Sequence, residues 1–321
     1  MQNKTNNLFL RWLVYIPSIT WVLLVLVIVF SIVAPHFATL DNAFNLIRQG
    51  TVLMIVAAGM VIAITSGGID LSVGALIGLA GTFIGYVAGK GVAWPIAMLA
   101  GILICSLAGL ISGLIIAKGN IFPFVVTFGM LFIARSLALG ISNGGSIHIG
   151  IKDFSLVNGG ALLFLPMPFW ITLAVILVVL VLMKRTPFGR YIFSIGSDAT
   201  GAAWMGIKVD TIRILVYLIS GTLAGIAGVV MASRVNTGNA LIGQGTEFFA
   251  IASVVIGGTP ITGGRGSLAG AILGALVITV LQNGLTLLGI SSEMTSAIVG
   301  VALMLGVIFA QMVYRRGQHG K

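Results

Sequence analysis

The sequence predicts an all-α polytopic membrane protein of about ten transmembrane helices, in two pseudo-repeated halves with broken short helices. Three observations predict it. Hydrophobic residues make up 58% of the chain and charged ones only 7%, far below the roughly 25% charged residues of a soluble domain. Apolar runs near the roughly 20 residues needed to cross about 30 Å of hydrocarbon follow one another from Trp12 almost to the C-terminus, without the period-two alternation of a β-barrel. Two glycine-bearing polar breaks interrupt those runs at corresponding places. Residues 1–321 therefore read as a single transmembrane domain.

The first span covers 12–34. Lys4 and Arg11 precede it in the charge order of a signal peptide, but its apolar part exceeds the usual 7 to 15 or so residues of a cleaved signal, so it is read as retained. The spans that follow are 50–65, 72–89, 92–117, 121–142, 167–184, 211–232, 247–258, 267–289 and 294–313. An even number puts both termini on one side. That side receives twelve Lys and Arg residues, among them Lys118, Arg185 and Arg213, against Arg48, Lys90, Lys152 and Arg234 opposite, which assigns both termini to the cytoplasm. The net charge of +10 thus follows topology, and no basic domain with interleaved aromatics suggests nucleic acid. The one cysteine, Cys105, lies inside a span and excludes an intrachain disulfide.

Spans 50–65 and 247–258 would reach only about 24 Å and 18 Å as straight helices. Each ends in a glycine break followed by a serine-led helix, SGGIDLSVGALIG in one and TGGRGSLAGAILG in the other. With one gap, Gly67–Gly68 match Gly263–Gly264, Ser72 matches Ser267, and Gly78 matches Gly274. Paired breaks of this kind point to discontinuous helices around a central pathway. Its candidate residues are Thr65, Ser66, Gly67, Gly68, Asp70 and Ser72 at the first break, and Thr259, Thr262, Gly263 and Gly264 at the second. Asp70 is expected to cap a helix that begins near Leu71 or Ser72, and a cap in a cytoplasmic turn and a place in the pathway both stay open. Arg135, deep within 121–142, either faces the bundle interior as a further pathway residue or reaches the outer surface. Asn45, Gln49, Gln282 and Asn283 offer hydrogen bonds to a solute or between helices. Many of the 44 glycines fall inside spans, where small residues one turn apart let helices approach closely.

Two loops stand out. Residues 185–210 form the longest charged interruption; Pro187 ends the preceding helix, and a short helix follows over 197–206. Its residues Ser197, Asp198, Ala202, Ala203, Trp204, Met205 and Gly206 suit docking into a partner's groove, with the lipid surface as the other place for Trp204. The outer loop 143–166 is read as a cap, a landing surface for an external partner, or a solvated linker. The sequence contains no phosphate-binding GxxxxGK[ST] loop, no HExxH and no CxxC, and its histidines (His36, His148 and His319) fall outside the spans. No catalytic residue, cofactor or metal site is expected, and energy for transport has to come from elsewhere.

SGGIDLSVGALIG, RTPFGRYIFSIGSDATGAAWMGI and ASVVIGGTPITGGRGSLAGAILGAL together resemble the signature regions of permease subunits of bacterial sugar ABC importers, of the ribose, xylose, arabinose and galactoside type. The resemblance runs in order from about residue 40 to 310. It implies a permease, not an enzyme, of the bacterial inner membrane that imports a monosaccharide by alternating access. Its implied partners are cytoplasmic ATPase subunits, an extracytoplasmic sugar-binding protein, a second permease subunit and membrane lipid. The 197–206 helix would be the ATPase-coupling helix. There the chain departs from the family pattern: the paired acids and the arginine are replaced by the run from Ser197 to Met205, which leaves room for a dedicated ATPase. An ion-coupled secondary transporter and a permease for branched-chain amino acids are the alternatives.

Overall fold

A computed structural model describes residues 18–151, 153–301 and 304. Residues 12–17 of the first predicted span and most of the last, from 302 onward apart from 304, lie outside the described residues, as do Lys4, Arg11, Lys152 and His319. The helices and strands are, in order, α1 Ser18–Val33, α2 Leu40–Thr65, α3 Val73–Gly89, α4 Trp94–Gly119, α5 Pro123–Ser142, β1 Ser146–His148, α6 Leu156–Gly159, β2 Ala161–Leu162, β3 Leu165–Pro166, α7 Met167–Arg185, α8 Pro187–Ser197, α9 Ala199–Trp204, α10 Val209–Val235, β4 Thr237–Asn239, α11 Thr246–Ile256 and α12 Leu268–Leu287. A further helix begins at 292. Six of these, α2, α4, α5, α7, α10 and α12, are long and apolar enough to cross a membrane, whereas α1, α3 and α11 are shorter apolar helices. The chain is a multi-pass helical bundle.

Helix α2 is the axis of that bundle: every residue from Gly50 to Thr65 is buried. The predicted short span 50–65 is the second part of this 26-residue helix, so the first break does not follow a short helix. Thr39 starts the helix, its hydroxyl accepting the Asn42 amide at 3.3 Å. Asp41, Asn42, Asn45, Arg48 and Gln49 then interrupt the apolar run without interrupting the backbone. Asn42 is buried because its amide exchanges two 3.0 Å hydrogen bonds with that of Asn283 on α12, which satisfies both groups away from water.

The glycines set the close approaches. Between α4 and α10, Gly109 lies against the Tyr217 carbonyl and Gly221, while Gly225 lies against Ile102 and Cys105, so these two helices meet backbone to backbone. Helix α3 uses its glycines differently. A Cβ at Gly74 would stand 2.6 Å from the Gly243 carbonyl, one at Gly78 2.6 Å from that of Ala240, and one at Gly85 3.0 Å from Ile147. Gly81 faces Gly238 in the same row. The partner along this face is the segment 237–245, strand β4 followed by turns with Gly243 and Gly245 in the left-handed region, which runs antiparallel to α3. Side chains here would hold that segment off.

The loop 143–166 is folded. Strand β1 pairs antiparallel with β4, Ser146 opposite Asn239, and β2 pairs with β3 as a hairpin. Phe154 is fully buried beneath it, and Ser233 Oγ donates to the Phe154 carbonyl at 2.8 Å, tying the loop to the end of α10. At the opposite end of the bundle, Pro187 does more than end α7: as a first-turn proline it also begins α8, a helix that the sequence reading did not separate from the loop.

Candidate functional site

Three glycine-bearing stretches, remote in sequence, meet at one end of α2. The helix closes with Gly67 in a left-handed conformation (φ 86°), whose amide returns to the Ile64 carbonyl at 2.9 Å while the Gly68 amide reaches Ala63 at 3.0 Å. That winding leaves the Thr65 carbonyl free of the helix, and it accepts the amide of Gly264 at 3.0 Å. Gly264 (φ 74°) and Gly263 (φ 84°) belong to the second break. Gly263 packs on the Gly67 backbone, and Gly264 lies against Ser197. Gly196, at the end of α8, sits over the Thr65 carbonyl and the Gly264 amide, so close that a Cβ would overlap both. The first break, the second break and the loop that carries α9 are thus one backbone junction.

Helix α9 extends from this junction. Asp198 begins it by accepting the Thr200 amide at 3.0 Å, and Gly206 (φ 83°) follows its end, with the Ile207 amide returning to Ala202 at 3.1 Å. Ala202 is buried against the bundle, whereas Trp204 is 86% and Met205 72% exposed. Ser197 and Ala203 are exposed beside them. The predicted helix is therefore present, over six residues, with its aromatic and thioether side chains held outward.

Beyond Gly68 the chain runs without regular structure to the start of α3. A Cβ on Gly68 would strike the Tyr217 hydroxyl, and Ser66, Gly67, Gly68, Phe122, Arg213 and Tyr217 line a cavity of about 250 Å3 there. Asp70 is 1% exposed. Its Oδ1 accepts from the Ser72 amide at 3.0 Å and the Ser72 hydroxyl at 2.6 Å, and its Oδ2 accepts from Ser220 of α10 at 2.6 Å. The helix starts later than expected, at Val73, so Asp70 holds the residue before the helix and cross-links the break to α10. The Ser220→Ala variant is expected to lower stability by about 1–3 kcal/mol, because it strips a buried carboxylate oxygen of its donor. Ser106→Ala, on a partly buried hydroxyl pair with Thr222, is expected to cost less than half of that, with melting in detergent as the comparison.

The second break is closed by the same means. The Thr259 hydroxyl accepts the Ser267 amide at 3.1 Å, and Ser267 caps α12 by accepting the Gly270 amide at 3.0 Å. Thr262 is exposed at the tip of this break. Thr65, Asp70, Ser72 and Thr259 are packed inside the chain, and Ser66 is buried at the edge of the cavity that Tyr217 lines.

Arg135 is half-buried, with its Nε and Nη2 buried and without a hydrogen-bond partner. Glu247, in the first turn of α11, is another buried acid, one that the sequence reading missed. Glu247 is 3% exposed, and its Oε2 lies where a Cβ of Gly74 would be. The available signal was one of only seven acids, at the start of a span too short to cross a membrane.

A bundle of spanning helices interrupted by two glycine breaks, with buried polar groups at the breaks, defines a membrane transport protein. The profile of the family described as "Branched-chain amino acid transport system / permease component" matches residues 42–308, and the chain belongs to that family. Among curated relatives, the ribose import permease protein RbsC of Escherichia coli K12 is 35% identical over 290 residues, 89% of this chain and 90% of the relative. RbsC of Bacillus subtilis 168 is 37% identical over 289 residues, covering 89% of each chain. The D-allose transport system permease protein AlsC of E. coli K12 is 31% identical over 314 residues, 97% of this chain and 96% of the relative. No solved structure matches the chain significantly.

Proposed function

We propose that this chain is the transmembrane permease subunit of an ATP-driven, binding-protein-dependent importer of a monosaccharide, a ribose-like pentose or a hexose, working by alternating access. The observation that carries this reading is the identity of 31% to 37% with ribose and allose permeases over nearly the whole chain. The chain sits in the bacterial inner membrane with both termini cytoplasmic, beside a second permease subunit, identical or a close paralogue. Two cytoplasmic ATPases hydrolyse ATP, and an extracytoplasmic binding protein delivers the sugar.

The junction supports a route for coupling. Trp204 and Met205 stand outward for an ATPase groove, while Gly196 and Ser197, at the base of the same loop, touch both breaks. Movement of α9 would reach Gly67 and Gly264 through backbone contacts alone. The translocation residues would be those at the breaks and Arg135, reached when the halves rock apart. Proteoliposomes holding the complex, offered labelled pentoses, hexoses and branched-chain amino acids, test the reading. Uptake of one sugar that requires both ATP and the binding protein is the expected result. Uptake driven by an ion gradient through this chain alone, or of an amino acid only, would overturn it.

A further inference from the structure

We infer that the cavity between the first break and the start of α5 is an anion site, in which Arg213 and Tyr217 hold the phosphate group of a lipid head or of a soluble phosphate ester. The site stands apart from the import reading, since neither residue is among those given a role in translocation or coupling.

The first observation is an idle donor at the wall of the cavity. Tyr217, on α10, is 1% exposed, and its hydroxyl is buried without a hydrogen-bond partner. Gly68, which lines the same cavity, gives up its side chain to that hydroxyl, so the phenol is seated against the first break. Buried hydroxyls in native proteins are nearly always paired. A ligand in the cavity would supply the missing acceptor.

The second is an unbalanced charge. Arg213 lies one helical turn before Tyr217, is half-buried, and lines the cavity with it. Among the described residues it makes no ion pair, and none of the residues lining the cavity is acidic. The acids nearby in the chain are engaged elsewhere: Asp210 pairs with Lys118 at 3.4 Å, and Asp70 accepts from Ser72 and Ser220.

The third is the backbone field. Helix α5 opens at the cavity with Phe122 and Pro123, and no side chain caps it, so the positive end of a 20-residue helix adds to the guanidinium. The negative end of α2 is there as well, but its carbonyls are taken, that of Thr65 by Gly264, that of Ile64 by Gly67 and that of Ala63 by Gly68.

Geometry and size select the ligand. A guanidinium fork takes two oxygens of an oxyanion, and the phenol asks for a third, which a phosphate has and a carboxylate lacks. A volume of about 250 Å3 equals about eight waters and lies below the usual range of about 300–1,000 Å3 for drug-sized ligands. It fits a phosphate with a short carbon body. Phe122, 68% exposed, places one wall at the outside of the bundle, within reach of a lipid head as well as of a solute. Because Gly67 in the opposite wall packs on Gly263, an anion held here would tie α5 and α10 to the junction.

The test uses the full chain, purified and stripped of lipid in a neutral detergent. Melting is followed with inorganic phosphate against chloride at matched ionic strength, and with glycerol 3-phosphate against glycerol. Native mass spectrometry compares retention of phosphatidylglycerol with that of diacylglycerol. At least one phosphate-bearing probe is expected to bind saturably where its phosphate-free counterpart does not; stabilisation by the soluble probes assigns a soluble ester, and retention of phosphatidylglycerol alone assigns a lipid head. Tyr217→Phe removes a hydroxyl that has no partner in the empty cavity, so it is expected to melt as the native chain does without probe and to bind about tenfold more weakly or worse. Arg213→Gln is expected to abolish binding, and Arg213→Lys to retain part of it, as a charge without the fork. No preference for any phosphate-bearing probe, or a preference that survives unchanged in Tyr217→Phe and Arg213→Gln, would overturn the site.

Discussion

Gly196→Val is expected to abolish uptake and to lower the melting temperature of the complex more than any other single change considered. The added side chain would enter the space between the Thr65 carbonyl and the Gly264 amide, where the two form a 3.0 Å hydrogen bond. Overpacking alone costs about 1–3 kcal/mol, and each buried backbone group left without its partner adds about 1–3 kcal/mol. Relief by rotamer change is closed off, because the obstacles are backbone atoms of two separate segments. Gly129→Ala provides the control. Gly129 is inside α5 with nothing within 4 Å of a new Cβ, and alanine favours helix over glycine by about 1 kcal/mol. That variant is expected to melt at or above the native temperature and to transport normally. If both variants behave alike, the junction is not a tight backbone contact.

The Trp204→Ala, Met205→Ala double variant is expected to fold, insert and melt as the native chain does, and to transport nothing. Both side chains are largely exposed, so their removal opens no cavity. A large aromatic at the centre of a docking surface commonly contributes about 2 kcal/mol or more, which lowers affinity for the ATPase by roughly thirtyfold. Coupling should then fail at two measurable points: co-purification of the ATPase weakens, and the binding protein no longer stimulates ATP hydrolysis. Unchanged transport in the double variant would dismiss the docking role of α9.

The sequence carried the class of fold because hydropathy reports lipid exposure, and α4, α5 and α7 each expose one apolar face. It misled at α2 for the same reason. Only the stretch from Gly50 onward is buried throughout; the first ten residues carry Asp41, Asn42, Arg48 and Gln49, and hydropathy counted only the rest. Asp70 was legible as an acid that needs donors, and Ser72 stood two residues away to supply two. Its third donor, Ser220, lies 150 residues along the chain, and no local pattern connects them. Glu247 was overlooked because the cause of its position is Gly74 on another helix. Glycines within spans were expected to admit neighbouring helices; those of α4 and α10 do, but those of α3 admit the strand-and-turn segment 237–245, and sequence alone does not distinguish the two.

That segment constrains the order of biogenesis. Helix α3 leaves the ribosome about 160 residues before 237–245, the segment that its glycine row is shaped to receive. Until then the row is an unfilled slot in the membrane, and Asp70 beside it still lacks Ser220. The bundle therefore cannot mature helix by helix as it is synthesised. Its N-terminal half has to be held, lightly packed or sheltered, until α10 and the segment arrive and close it in one late step.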